Sequence, residues 1–557
     1  MSVYSYENLK KLTQTKNGEQ FINAFKKYYN KNYKNLPIYS LPFSAFKLFY
    51  SVGDRETYEI PYFQRRDRLN VLQVLAINDD KYIEELEEIM ATICDEFTWV
   101  LHAHAPNYEV DVIDLFSSTT ARILAETLFV FGDKLSKAIQ VRVKESINQK
   151  IIRLYEKRTF WWEDSLYNWA AVCSCGVGLS YLYLYPERFE EVKERLFKTF
   201  KGFLLGFGSE GYCGEGVNYW QFGFSHFCIF FNCYEKLTNI RPEFIDSEGV
   251  KNILRYIKNA KLSKDIYLPF ADGGFPTWKM RAATAYVIKS LYPNHFTFDN
   301  ITDFLPDHQG NGIRNLYGVN NFEPTIEKQQ KEESIYYHTA QVFIRKRENY
   351  SFTAQCGHNG VDHNHNDVGS FQIVKNNQRV ICDFGVGAYV RQYFDSNERY
   401  KIFACNSLSH SIPIVDGKLQ SYGTKYCGKV LSQDKNSITM DIAKAYENAP
   451  LNLIVEYRTE KDYVSVKYNC KGIKEKICFH FVSDIKPVKN KKGVWLNNTY
   501  ISNSLSLTPK ITKREECIRL DFTLAKTNYK SKRKVYMLDY EVIQSGDINA
   551  EFIFHLG

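Results

Sequence analysis

The feature that most limits how this chain can fold is a change of hydrophobic period about halfway along it. Over roughly 67–291 apolar residues recur at helical spacing, as in RLNVLQVLAIN, YIEELEEIMATICDEFTWVL, DLFSSTTARILAETLFVFGDKLSKAI and FEEVKERLFKTFKGFLLGF. A polar, turn-rich stretch over 307–333 follows, ending in EPTIEKQQKEES, and beyond it the spacing becomes alternating: TAQVFIRKR, YSFTAQCG, SFQIVK, RVICDFG, LIVEYRTE, YVSVKYNC, CIRLDFTLAK, KVYMLDYEVI, AEFIFHLG. That many helices joined by short turns exceeds one bundle. It implies helical hairpins arrayed into an (α/α) toroid or incomplete barrel, and the short strands imply an antiparallel β-sandwich. The expected division is a helical domain over 1–325 and a sandwich over 335–557, with the active site in the cleft between them.

Composition matters here for what it excludes. A net charge of +8 on 557 residues is compatible with a polyanionic substrate, but it is spread too evenly to indicate a nucleic-acid partner. The basic runs KNKKG (489–493) and KSKRK (530–534) read as exposed turn and strand-edge lysines. The most apolar stretch, 222–234, is interrupted by Ser225, His226 and Asn232 and reads as a buried helix, so no membrane span is expected. The N-terminal residues show no apolar core of a secretion signal, which points to a cytoplasmic location. Thirteen cysteines without regular spacing fit buried thiols in a reducing compartment.

Chemistry concentrates in 356–371, CGHNGVDHNHNDVGSF. Four of the twelve histidines fall between His338 and His365. His, Asn and Asp are poor core and poor strand residues, so packing does not account for such a string. The stretch SFQIVK-NNQ-RVICDFG that follows reads as a hairpin turning at Asn376 and Asn377, which returns Asp383 toward the histidines. A further loop brings in His410. His365, Asp383 and His410 would make a two-histidine, one-carboxylate set suited to zinc, although an HxH pair could equally place His363 on the metal.

These residues resemble the heparinase II/III polysaccharide lyases. The resemblance rests on HNHNDVGSF, the hairpin ending CDFGVGAYVRQ and SLSHSIPIVDG in the second half. In the first half it rests on WVLHAHAP, NWAAVCSCGVG and EGYCGEGVNYWQFG. It implies cleavage of uronic-acid polysaccharides such as glycosaminoglycans by β-elimination, on a toroid followed by a sandwich. It implies catalytic roles for Asn168, which would hold the uronate carboxylate, for Tyr219 as general acid and, for some substrate stereochemistries, as base too, and for His363 facing the cleft as base or as carboxylate partner. His365, Asp383 and His410 would then hold a structural zinc. Glu215, Trp220, His104 and Arg391 are candidates for substrate contact, with His102 and Asp272 near the cleft. The residue types suit the reaction: a carboxylate must be neutralised, a weakly acidic proton removed and a departing oxygen protonated. Two other readings use the same residues, a zinc-dependent hydrolase and a glycan-binding or polymer-assembly protein without turnover.

Overall fold

The computed structural model describes residues 5–273, 277–306, 309–324, 332–448, 450–490, 493–519 and 531–557. Its helices are α1 (Tyr6–Thr13), α2 (Lys16–Asn32), α3 (Phe43–Val52), α4 (Glu56–Asn78), α5 (Ile83–Cys94), α6 (Leu115–Phe131) and α7 (Lys137–Ile147). These are followed by α8 (Arg153–Lys157), α9 (Asn168–Leu184), α10 (Phe189–Leu205), α11 (Val217–Thr238), α12 (Glu248–Ala260), α13 (Ala282–Leu291) and α14 (Gly312–Asn321). Helices α4, α6, α9, α11, α13 and α14 pack each against the next, and α14 returns to α4. They form the inner ring of an (α/α) toroid, with α5 outside α4, α7 outside α6 and α10 outside α9.

Sequence decides which helix lies inside. Helix α9 is apolar on every side and is buried from Ala170 to Tyr183, as a helix surrounded by others must be. Helix α10 buries Phe189, Val192, Leu196, Phe200 and Phe203 and turns Glu190, Glu191, Glu194 and Lys198 to solvent. One expectation needs correction. Helices begin at Tyr6, inside the helical domain expected over 1–325, but the stretch read as a linker contains α14. Its Gly- and Asn-rich sequence hides a buried face of Ile313 and Leu316, and Arg314 reaches both carboxylate oxygens of buried Glu126 at 2.8 and 3.0 Å. The end of the expected linker, 325–331, lies outside the described residues.

Strands follow from residue 333. β1 (Glu333–Tyr337), β2 (Val342–Lys346), β3 (Tyr350–Gln355), β4 (His358–Asn359), β5 (Phe371–Lys375) and β6 (Gln378–Ile381) open this half. An antiparallel sheet runs β1-β2-β3-β5-β6. Period-2 alternation gives it two buried faces: Val342 and Ile344 join the toroid core, while Phe343 joins the core on the other side. The β5–β6 hairpin turns at Asn376 and Asn377, with φ of 51° and 55°, as the sequence indicates. Cys382 N then donates to Val482 O at 2.9 Å, linking this sheet to a four-stranded one built on Ile477–Ser483 and Lys532–Val542. An eight-stranded sheet centred on Tyr463–Ile473 and Gly546–His555 faces them across Phe371, Tyr457, Phe481 and Phe552. The result is an antiparallel sandwich seated on the toroid by its first sheet.

Smaller expectations divide. Most of CIRLDFTLAK lies at 520–526, outside the described residues. Arg533 in the second basic run is not an exposed edge residue: it is buried and donates to both oxygens of Asp484 at 2.8 and 2.9 Å. The apolar stretch over 222–234 lies within α11, which is long but too polar to cross a membrane, and no other described helix is long and apolar enough. None of the thirteen cysteines is in a disulfide, and ten are buried.

Candidate active site

Toroid and sandwich meet over a cleft of about 370 Å³ lined by Asn168, Trp169 and Tyr219 on one side and by His363, Tyr389 and Arg519 on the other. Tyr219 lies in the first turn of α11, which starts after Gly216 at φ +92°. A Cβ on Gly216 would come within 2.5 Å of the Cα of Gly273, and a Cβ on Gly273 within 2.5 Å of the Cα of Gly216. This backbone contact tolerates no side chain on either residue, and it seats the 271–273 turn against the start of α11.

His363 comes from the loop between β4 and β5 and holds φ at 58°, a conformation that non-glycine residues avoid unless their surroundings enforce it. Its ring stacks on that of Tyr219, with centroids 4.3 Å apart and planes 27° apart. The Tyr219 hydroxyl is 2.8 Å from that of Tyr389 and accepts from Arg519 Nη1 at 3.4 Å. Burial pushes the Tyr219 phenol above its ordinary range, and Arg519 pulls it only partly back. The group is therefore a protonated donor at neutral pH.

Asn168 opens α9, where the backbone N–H groups lack helical partners. Glu215 supplies one: its carboxylate accepts from the Asn168 backbone N at 3.3 Å and from Nδ2 at 2.8 Å. Burial pushes the Glu215 carboxyl up. Asn168 Oδ1 is buried and has no partner, so the amide is oriented from behind and still has hydrogen-bonding capacity to offer. Glu215 itself faces a second cavity of about 280 Å³, which shares Tyr219 with the cleft.

Behind this wall lies Asp272, buried in the 271–273 turn. Its Oδ2 accepts from His363 Nδ1 at 2.7 Å, Tyr389 Oη at 3.1 Å and Arg399 Nη2 at 3.2 Å. Its Oδ1 accepts from His365 Nε2 at 3.0 Å and from the Tyr393 hydroxyl. Burial alone would raise this carboxyl, but Arg399 and the histidine donors hold it well below the usual carboxylate range.

No family model matches the sequence, and no curated protein matches it. Comparison of folds is informative. The crystal structure of heparinase III superposes with a TM-score of 0.62 at 14% identity, covering 99% of this chain and 92% of that one. A further heparinase III gene product gives 0.59 at 12%, covering 99% and 90%. The chondroitin AC lyase of Streptomyces coelicolor A3, in complex with chondroitin sulphate, gives 0.59 at 8%, covering 99% and 82%. The chain has a heparinase-type polysaccharide-lyase fold. Identities this low carry the fold and no more.

Within this lyase fold, His365, Asp383 and His410 form a buried group whose potential ligand atoms lie within 4.8 Å of one another. His410 Nδ1 is 2.7 Å from Asp383 Oδ2. His365 Nδ1 and His410 Nε2 are buried without partners, and His365 places its other nitrogen on Asp272, the outer-carboxylate arrangement common around metal-binding histidines. The donor set and its orphaned nitrogens fit a divalent metal such as zinc. None of the three lines the arginine-bearing cleft, although His365 reaches the second cavity.

Several sequence-based assignments change. Trp220 does not face substrate: it is fully buried, and its indole donates to Ile253 O at 2.9 Å. Helical phase explains the error, since adjacent residues point about 100° apart and Tyr219 takes the cleft side. Arg391 is exposed and turns to Tyr50 O at 3.2 Å, and the arginines that do line the cleft are Arg55, Arg281 and Arg519. Glu215 positions Asn168 from outside the cleft lining. Asp272 is an anchor behind the wall. His102 is buried between Phe49 and Tyr58, and desolvation lowers it to about 4. His104 does line the cleft, with Nδ1 2.8 Å from Asp114 and its ring stacked on Phe116. Arg399 and Arg519 are not marked by the sequence because each reaches the site from outside the quoted motifs, and Tyr389, although inside CDFGVGAYVRQ, has no local feature that sets it apart.

Proposed function

We propose that this protein is a polysaccharide lyase that cleaves uronic-acid-containing acidic glycans by β-elimination. The observation that carries the reading is the Tyr219–His363 stack across the domain junction, beside Asn168 and three arginines. Elimination at a uronate needs three functions within one sugar's breadth, and these residues supply them. Asn168, with one Nδ2 hydrogen held by Glu215, offers the other to the uronate carboxylate and favours the enolate-like state in which negative charge moves onto it. His363, with Nδ1 on Asp272, offers Nε2 to take the C5 proton. The electron pair of the C5–H bond becomes the C4–C5 double bond, the C4–O4 bond breaks, and Tyr219 gives its proton to the departing O4. The imidazolium and phenolate left behind return to neutrality by proton exchange through solvent. A raised phenol suits the acid role and not the base role.

The three arginines in the cleft lining, Arg55, Arg281 and Arg519, support an anionic partner, and Glu59 holds Arg55 at 2.5 Å. His365, Asp383 and His410 would hold zinc, which would brace the loop that carries His363. The buried position of that group, off the arginine-lined cleft, disfavours a hydrolase that uses the metal directly. Mass spectrometry of the products tests the reading: elimination gives one fragment of ordinary mass, which leaves with O4, and one unsaturated fragment lighter by one water than its hydrolysis counterpart, and products in which no fragment shows that deficit would overturn it.

A further inference from the structure

Five side chains of the sandwich half, His363, His365, Tyr389, Tyr393 and Arg399, end on one carboxylate of the toroid. An ionised carboxylate only accepts hydrogen bonds. At 2.7 Å from Asp272 Oδ2, His363 Nδ1 must therefore carry a proton, and in the neutral ring Nε2 is then bare. That bare nitrogen lies on the side of Asn168 and Glu215, 3.8 Å from Glu215 Oε1. The same carboxylate also orients the tyrosine. Tyr389 donates its hydroxyl proton to Asp272 at 3.1 Å, so across the 2.8 Å contact with Tyr219 it acts as acceptor. In this arrangement Tyr219 donates to Tyr389 and accepts from Arg519, and rotation about its C–O bond turns the same proton to the departing O4.

The backbone completes the linkage. Asp272 follows Ala271 at φ +58° and precedes Gly273, whose contact with Gly216 fixes the turn against the helix that bears Tyr219. One turn of the toroid thus sets the position of the tyrosine through backbone and that of the histidine through a hydrogen bond.

We infer that Asp272 is the positioning residue of the site: it holds His363 in the Nδ1–H tautomer, aims the Tyr219 hydroxyl through Tyr389, and makes docking of the sandwich the event that assembles both. The inference rests on the lyase reading only for the reaction these groups serve. Such an arrangement fixes geometry without touching substrate, so its loss falls on turnover and leaves binding largely intact.

The direct test is nitrogen NMR of the intact protein labelled at its histidine rings, at a pH where imidazoles are neutral, with His363 assigned by the signal missing in His363→Gln. The expected result is a proton on Nδ1 and a bare Nε2; a proton on Nε2 would overturn the inference. Asp272→Asn, which keeps size but replaces an acceptor with a donor, is expected to lower kcat by about 100-fold with KM changed less than about threefold. Retention of kcat within about threefold would also overturn it. If Asp272→Asn does not fold, or no acidic glycan is cleaved, the tautomer in the unmodified protein still decides, so failure of the lyase reading and failure of this inference are separable.

Discussion

The rings of Tyr219 and His363 stack at 4.3 Å although one belongs to the toroid and the other to the sandwich. On the proposed mechanism, neither domain alone would hold both the acid and the base. Removing only the phenolic oxygen should separate chemistry from packing. Tyr219→Phe keeps the stack and is expected to bind acidic oligosaccharide with little change while losing about 10²–10⁴-fold in turnover. Steady-state rates together with calorimetric binding check this, and unchanged turnover would remove Tyr219 from the mechanism.

Gly216 and Gly273 set the distance between α11 and the Asp272 turn. Gly273→Ala would push a Cβ to 2.5 Å from the Gly216 Cα, so backbone must move. Thermal unfolding is expected to show a loss of about 1–3 kcal/mol, with activity falling further than stability because the turn carries Asp272. Full activity with a lowered melting temperature would mean that the contact serves folding alone.

The helical and β halves were legible in the sequence because periodicity is a local signal, and HNHND stood out because such residues have no packing use. What stayed hidden was pairing at long range. Asp272 in FADGG looks like any turn carboxylate, and its donors from His363 to Arg399 lie 91 to 127 residues away. No local pattern marks a carboxylate that will be buried among them. Arg391 draws attention because it lies close to the motif in sequence, whereas Arg519 reaches Tyr219 from 300 residues away and carries no such mark. α14 escaped notice because a helix of Gly and Asn declares itself only through the groove it fills.

His102 gives a pH dependence with a defined sign. Its ring has no partner for either nitrogen and is held near 4 by burial, against an ordinary value near 6.5. Between those values the unfolded chain binds the proton and the folded one does not, so stability is present above pH 6.5 and falls as pH drops toward 4. The loss is about 3 kcal/mol at full extent. His102→Phe, which suits the surrounding aromatics, should flatten that part of the stability profile. Denaturant unfolding at a series of pH values measures it, and an unaltered slope would count against the assignment.

Metal analysis addresses His365, Asp383 and His410. Purified protein is expected to carry about one zinc per chain, and chelation should lower the melting temperature while His410→Ala abolishes binding. Metal that is absent after expression in zinc-supplemented medium, with a melting temperature indifferent to chelator, would show that the group is an ion-paired core cluster.

The central claim is elimination at a uronate, and the ultraviolet absorbance of the new C4–C5 double bond reports it most directly. Incubation with a panel of uronic-acid polymers, sulfated and unsulfated, should give rising absorbance with at least one of them and none with Tyr219→Phe. A flat signal on every acidic glycan, from folded protein, would contradict the account.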